Sequence, residues 1–170
     1  LFTSRSGDLS RPGGNAGCVS LPDIVSGPVR WCVVMNFMID LPWLLSPDGC
    51  PSLNDVPTVV WVADERNAPR AAFDAMRRGR DWRVVHPQTP KFGTHHTKCF
   101  ILVYDAGCRV CVHTSNLIEL DVHRRANAAW TQDFPLTSRA DRAAFGAASE
   151  FEPALLRYLR RLGGRDAEAH

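Results

Sequence analysis

The sequence has few lysines, no long apolar run and little net charge. Only two of its twenty basic residues are lysines, Lys91 and Lys98, and the formal net charge is +2. A charge this close to balance excludes the broad basic surface that marks many nucleic-acid-binding domains, so any such binding must be local. The most apolar stretch, residues 31–45, is broken by Asn36, Asp40 and Pro42, whereas a membrane-spanning helix needs roughly 20 apolar residues. We therefore expect no membrane contact.

The beginning of the chain also lacks expected signals. It starts with Leu1 rather than methionine, and no basic segment followed by an apolar run indicates a signal peptide, so we expect part of a longer protein. Three of the six cysteines fall within apolar, strand-like runs, where a reduced thiol behaves as a small apolar group. This pattern favours a reducing compartment.

The composition and the order of local patterns predict one domain over residues 1–170. Hydrophobic residues make up 45% of the chain and charged residues 22%, which suffices for a packed core. Residues 1–20 are rich in Ser, Gly, Arg and Pro and predict a loop. A helix is predicted over residues 139–162, followed by a glycine pair and a frayed tail over residues 165–170.

A strand, a helix and a second strand are predicted in the middle of the chain. Residues 57–63 and 82–86 are β-branched and aromatic runs, and residues 67–78 between them have a helical pattern. Asn67 is the expected N-cap, Pro69 lies in the first turn, and Gly79 follows the end. With the later strands, this order indicates a mixed α/β layer fold.

A hairpin is predicted from residues 98–104 and 108–114, with residues 105–107 as a three-residue loop. In that register Tyr104 lies opposite Cys108. Extending the same register places Lys98 opposite Thr114 and His96 opposite Asn116, which puts the last four side chains on one face. Because side chains alternate along a strand, a slip of one residue would separate them.

The polar residues beside the hairpin suggest phosphate chemistry. His96 and Lys98 are two apart and share a face on an extended backbone. A neutral imidazole can attack phosphorus, while Lys98 and Asn116 can donate to the oxygens whose charge changes in the transition state. The use of a rare lysine at position 98 indicates that a compact ammonium is required there.

The motifs Phe92-Gly-Thr-His-His-Thr-Lys98 and His113-Thr-Ser-Asn-Leu-Ile118 carry a family resemblance. HxK followed by Asn resembles a half-motif of the phospholipase D superfamily, and the longer segments are similar to its tyrosyl-DNA phosphodiesterase branch. That branch also lacks the acidic residue five positions after the lysine, which is Val103 here. The likeness extends over most of the chain, from Phe2 to Leu159.

The resemblance implies a phospholipase D-type mixed sheet flanked by helices, one half of a pseudo-dimeric enzyme. Such an enzyme would remove tyrosine and other blocking groups from DNA 3′ ends, without metal or cofactor. His96 would form a phosphohistidine, and Lys98 and Asn116 would bind the phosphate. The implied substrate-binding residues are Ser6, Gly7, Phe92, Gly93, His123 and Asn127.

The same resemblance implies partners and a location. The partners would be single-stranded or end-frayed DNA with a 3′ adduct and a topoisomerase-derived peptide, in the nucleus. Asn127 stands where the family commonly has Gln, which shortens the reach of the amide. The family also uses a second HxK half to protonate the leaving group, and none occurs in these 170 residues.

Other interpretations of the same residues remain open. The chain could be a non-catalytic DNA-binding half, or a single-motif phosphodiesterase that completes its site as a homodimer. The spacing of Cys108 and Cys111 resembles a zinc site, although on one strand the two thiols would face opposite ways. Phe92 could close the core instead of stacking on a base.

Overall fold

The computed structural model describes residues 17–138, 141 and 150–163, which form a six-stranded mixed sheet with helices packed against it. The strand order is β3-β2-β1-β4-β5-β6; β1, β2 and β3 run parallel, and the pairs β1–β4, β4–β5 and β5–β6 are antiparallel. The α/β fold predicted from the order of elements is confirmed. In chain order the elements are α1 (Leu21–Ile24), β1 (Trp31–Asn36), α2 (Leu41–Leu44), a 3₁₀ turn (Pro51–Asp55), β2 (Thr58–Ala63), α3 (Arg70–Arg77), β3 (Asp81–Val85), β4 (Cys99–Tyr104), β5 (Gly107–His113), α4 (Glu119–Arg124), β6 (Ala129–Pro135) and α5 (Phe151–Gly163).

The central strand β4 is buried on both faces, as its apolar sequence predicts. Consecutive side chains alternate between faces, so Phe100 joins the larger core with Trp61, while Ile101 joins a second core with Met35. Apolar residues of α5, including Leu159, pack against this second core. Because both faces are covered, the position of β4 is fixed, and so is the position of the HxK segment that leads into it.

The helix α3 begins later than its sequence pattern predicts. The expected N-cap Asn67 lies in a turn whose backbone N–H groups, at Asn67 and Ala68, both donate to the carbonyl of Asp64. The helix begins at Arg70, and Pro69 occupies the cap position with ψ 143° and no side-chain hydrogen bond. The predicted cap is therefore wrong: Asn67 belongs to the turn after β2, and Pro69, two residues on, has no N–H for its side chain to accept. Gly79 follows the helix end as predicted, with φ 81°.

The hairpin between β4 and β5 differs by one residue from the predicted register. Tyr104 pairs with Gly107 instead of Cys108, so the loop has two residues. Gly107 belongs to the strand because β6 passes close to it: a Cβ there would lie 2.1 Å from the carbonyl oxygen of Phe134. Its φ of 149° is also one that glycine adopts readily. The predicted pairs of Lys98 with Thr114 and of His96 with Asn116 are consequently wrong.

Several expectations concern residues near the chain ends. Residues 1–16 and 164–170 lie outside the described part, so most of the predicted loop over residues 1–20 and all of the predicted tail are not described. Of the helix predicted over residues 139–162, the structure describes residue 141 and α5 as helical. None of the described helices is long and apolar enough to cross a membrane. All six cysteines are free thiols.

Candidate active site

The HxK segment enters β4 with an exposed imidazole next to a buried ammonium. The ring of His96 is exposed, whereas Lys98 is only 7% exposed. The Nζ atom of Lys98 lies 3.0 Å from Nδ1 of His96 and 3.5 Å from the His96 carbonyl oxygen. The spacing of two residues along an extended backbone thus brings the two groups together, as predicted from the sequence.

Lys98 sits in a pocket of mixed character. Its Nζ lies 6.0 Å from the centroid of the Phe37 ring, and the same ring lies 4.6 Å from that of His96. Burial lowers the pKa of Lys98, and the negative charge of Asp121 acts in the opposite direction. A lysine in such surroundings gains more from binding an anion than one in water, because its charge is only partly compensated.

Asn116 lies in the segment after β5 and is linked to Lys98 through Asp121. It follows the end of β5 at His113, beyond the last β4–β5 pair of Cys99 with Val112. Its Nδ2 donates to a carboxylate oxygen of Asp121 at 2.7 Å, and its backbone N–H donates to the same oxygen at 3.3 Å. Asp121 therefore connects Asn116 to Lys98, on whose pKa it acts.

The segment that carries Asn116 is fixed against the loop after β1. The fully buried Asn36 donates from Nδ2 to the Ser115 carbonyl oxygen at 3.2 Å and accepts from the Met38 N–H at 3.2 Å. Leu117 donates to the Met38 carbonyl and accepts from the Asp40 N–H. These backbone bonds hold Asn116 in place without a regular strand.

A second buried carboxylate holds the HxK segment from the side of β2. Asp64, 7% exposed, is paired with Arg66 through two hydrogen bonds of 3.0 and 2.8 Å and also accepts from the His95 backbone N–H. The Arg66 side chain lowers the pKa of Asp64. On the other side of the sheet, Thr97 shares a hydroxyl hydrogen bond with Tyr158 of α5. The residues around His96 are thus tied to two separate elements.

Two further histidines near Lys98 are buried. His113, 6% exposed, stacks on Phe100 and lies opposite Lys98, whose carbonyl accepts the His113 N–H. Burial, with a smaller effect of the Lys98 charge, lowers the pKa of His113 to about 3. Burial also lowers the pKa of His95, and the charges of His96 and Lys98 add to that effect while Asp64 opposes it. Both rings are therefore neutral at physiological pH.

The implied substrate-binding residues are placed in different surroundings. Phe92 is 92% exposed, so the alternative that it closes the core is wrong. The Gly93 N–H donates to the Pro90 carbonyl in a tight turn. For His123, Nε2 lies 3.0 Å from the Asp48 carbonyl oxygen, and the ring packs edge-on against Trp43. Ser6 and Gly7 lie outside the described residues.

Asn127 has an amide that is already engaged within the chain. Its Nδ2 donates to the carbonyls of Asp121 at 2.7 Å and Arg125 at 3.1 Å, and its Oδ1 accepts from the Thr114 hydroxyl. These bonds close the end of α4 against the end of β5. In this structure Asn127 supports the backbone of Asp121, a role that the resemblance did not imply.

The zinc-like spacing of two cysteines is split between the two faces of the sheet. Cys111 is buried in the larger core, whereas Cys108 is half-buried on the face near Glu152 of α5. Within residues 17–138, 141 and 150–163, no three His, Cys, Asp or Glu side chains come together as ligands for a metal ion. The described residues around His96 therefore supply cationic and amide donors that could bind an oxyanion, and they do not form a group of metal ligands.

Comparisons with known proteins show which family the chain resembles. The family model for tyrosyl-DNA phosphodiesterase matches residues 1–169. Tyrosyl-DNA phosphodiesterase 1 of Arabidopsis thaliana is 38% identical over 122 residues, covering 71% of this chain and 20% of the plant protein. The Drosophila melanogaster protein of the same name is 33% identical over 136 residues, covering 78% of this chain and 23% of its own length.

A solved structure shows the same fold. A crystal structure of a mutant yeast tyrosyl-DNA phosphodiesterase matches with a TM-score of 0.72 and 18% identity, covering 99% of this chain and 39% of the yeast chain. The segments of the Arabidopsis and Drosophila proteins that align with this chain make up about a fifth of each protein's length. The match over nearly the whole chain shows that this protein belongs to the tyrosyl-DNA phosphodiesterase family.

Proposed function

We propose that this chain is the nucleophile half of a DNA-repair phosphodiesterase that hydrolyses 3′-phosphotyrosyl and other blocked 3′ ends. The observation that carries the proposal is the exposed imidazole of His96, whose Nδ1 lies 3.0 Å from the buried Lys98 ammonium. Membership of the family supports the substrate class, since the relatives are named for tyrosyl-DNA phosphodiesterase activity. A DNA substrate also makes a nuclear location the expected one.

In the proposed reaction a ring nitrogen of His96 attacks the phosphorus and forms a P–N bond. The P–O bond to tyrosine breaks, and the tyrosyl oxygen leaves with the electron pair and takes up a proton. Water then attacks the phosphohistidine, which releases the DNA 3′-phosphate and regenerates the imidazole. Lys98 and Asn116 donate to the phosphate oxygens, whose charge is redistributed during both steps.

The contact between Lys98 and His96 couples substrate binding to attack. An ammonium can only donate, so Nδ1 of His96 accepts from Lys98, and the proton of the neutral ring then lies on Nε2. In this state neither ring nitrogen has a free lone pair. A bound phosphate competes for the ammonium, and when Lys98 turns to the phosphate a ring lone pair becomes available. The nucleophile is thus released by the substrate that it attacks.

The leaving group needs an acid that the sequence does not contain. No second HxK occurs in the 170 residues, and general acid-base assistance typically contributes about 100- to 10,000-fold. We propose that the second half comes from the rest of a longer protein or from a second copy of the chain. The curated relatives are about four to five times as long as the segment that aligns with this chain, which favours the rest of a longer protein as the source.

The DNA strand is proposed to run past Phe92. Its ring is 92% exposed, and Nζ of Lys91 lies 5.6 Å from the ring centroid. An exposed aromatic ring stacks on any base, and a neighbouring ammonium attracts phosphate, so the pair suits binding without sequence preference. Gly93, in the turn that follows, allows the strand to pass close to the backbone.

The proposal is tested by covalent trapping in the complete protein. An oligonucleotide with a 5′ label and a 3′ phosphotyrosine should label the wild type in an alkaline denaturing gel, which preserves phosphohistidine. His96→Ala should remove the label, whereas His86→Ala, a matched change in a half-buried histidine on the Ala63 carbonyl, should retain it. Equal labelling of wild type and His96→Ala would show that the nucleophile is another residue.

A further inference from the structure

A buried carboxylate lies in the site at a position to which the family resemblance assigned no role. Asp121 is 6% exposed and belongs to the first turn of α4. One carboxylate oxygen accepts from the backbone and side-chain nitrogens of Asn116, at 3.3 and 2.7 Å, and the other lies 3.1 Å from the guanidinium of Arg125. Asn127 fixes the Asp121 carbonyl at 2.7 Å. Both carboxylate oxygens and the backbone carbonyl of Asp121 are therefore engaged by neighbouring residues.

The first consequence of this contact is a fixed orientation of the Asn116 amide. A carboxylate only accepts hydrogen bonds, so the NH₂ group of Asn116, not its oxygen, must point toward Asp121. One of its two N–H groups is used there, which leaves the other to donate to a ligand. The Oδ1 atom is buried and has no hydrogen-bond partner among the described residues. Without Asp121 the amide could turn over and present this oxygen to the phosphate.

The second consequence concerns the charge of Lys98. The strand β4 that follows Lys98, Cys99–Tyr104, contains no carboxylate. The titratable groups near Lys98 are the rings of His96 and His95, His113 on β5, and Asp121 on α4. Three of these are histidines, and Asp121 is the group among them that carries a negative charge.

We propose that Asp121 is the positioning residue of the phosphate-binding pair: it orients the donor of Asn116 and balances the charge of Lys98. The carboxylate of this site comes from the first turn of α4. This proposal rests on the proposed function, but the effect of Asp121 on Lys98 can be tested without measuring turnover. If Asp121 only stabilised the first turn of α4, its replacement would lower the stability of the protein and leave the pKa of Lys98 unchanged.

The scarcity of lysine makes a direct measurement possible. The 170-residue chain labelled with ¹³C-lysine should give two side-chain signals, from exposed Lys91 and buried Lys98, and a Lys91→Arg variant assigns them. Asp121→Asn keeps the shape and one acceptor for Asn116 but removes the charge. We expect it to lower the pKa of Lys98 by roughly one unit, since a close opposite charge shifts a pKa by about 1–3 units.

Two control variants make the result specific. Asp133→Asn removes a carboxylate that is paired with Arg109 on β5, at 2.6 and 2.9 Å, and should leave Lys98 unchanged. Arg125→Gln removes the exposed cation next to Asp121 and should move the Lys98 pKa upward by a smaller amount. Because Arg125 is exposed, this variant keeps the test available if Asp121→Asn does not fold. If Asp121→Asn folds and the pKa of Lys98 is unchanged in it, the proposal is overturned. If only Arg125→Gln folds, an unchanged pKa of Lys98 in that variant overturns the proposal.

The kinetic arm uses the complete protein and a phosphotyrosyl oligonucleotide. Asp121→Asn should lower kcat roughly 10- to 100-fold, the range expected for a hydrogen bond to a charged group, with a small change in KM. Asp121→Glu should recover part of the loss. If the wild type shows no turnover, the proposed function fails while the lysine titration still decides the role of Asp121. If kcat is unchanged in a folded Asp121→Asn, the positioning role is wrong and the function stands.

Discussion

The burial of His113 predicts a pH dependence of stability that can be worked out from the structure. The ring is 6% exposed, stacked on Phe100 at 5.2 Å between centroids, and opposite Lys98 in the hairpin. Burial lowers its pKa from 6.5 to about 3. Replacing His113 with Gln removes the titrating group and keeps a polar side chain, so a comparison of the two proteins isolates this one ring.

The sign follows from proton binding in the two states. Between pH 3 and 6.5 the unfolded chain holds a proton on His113 and the folded chain does not. The free energy of unfolding therefore falls as the pH is lowered, by about 1.4 kcal/mol per unit once the pH is well below 6.5. Between pH 8 and pH 5 the loss from this ring is about 2 kcal/mol. His95, whose pKa burial also lowers, adds a loss in the same direction.

Urea denaturation at several pH values between 8 and 5 measures this loss. The wild type should lose about 2 kcal/mol more than His113→Gln over that interval, within a total stability that is typically about 5–15 kcal/mol. His113→Phe, which differs in polarity but does not titrate either, should show the same reduced slope. Wild-type and variant curves that run parallel would refute the assignment of a neutral, buried ring.

Two further substitutions separate binding from stability. Phe92→Ala should weaken binding of single-stranded DNA to the complete protein by about 1–3 kcal/mol in fluorescence anisotropy, because it removes a base-stacking surface, and leave the melting temperature unchanged since the ring is 92% exposed. A drop in melting temperature with unaltered affinity would assign Phe92 to the fold. Trp61→Ala should cost about 3–5 kcal/mol in urea denaturation, because Trp61 is fully buried against Phe73 and Trp82. A cost below about 1 kcal/mol would mean that this part of the core repacks easily.

Four of the six strands, and the approximate positions of α3 and α5, could be predicted from the sequence because their patterns are local. The runs that became β2, β3, β4 and β5 are β-branched and apolar, and each lies within one or two residues of its predicted bounds. The hairpin register could not be predicted, since it depends on β6. Gly107 looks like a loop glycine by its neighbours in sequence, but the carbonyl of Phe134 requires a residue without Cβ within the strand.

The candidate site was predictable only in part. His96 and Lys98 are two residues apart, so an extended backbone alone brings them together. Asn116 was predicted to join them through strand pairing, but the structure brings it there through Asp121 and the bonds of Asn36. A signal for Asp121 was present in the sequence, where a carboxylate stands five residues after Asn116. Nothing in the local pattern indicated that it would be buried.

The sequence by itself determined the class of fold and the pairing of an imidazole with an ammonium, because these depend on periodicity and on residues close together in the chain; its motifs carried the family resemblance. The tertiary structure decided the pairing register of β5, the hydrogen-bond partners of the Asn127 amide, and which carboxylate acts on Lys98. Those outcomes depend on interactions between residues far apart in sequence, such as the close approach of Gly107 to Phe134 and the effect of the Asp121 charge on Lys98. Their energies arise only when burial brings the groups together and removes water from between them.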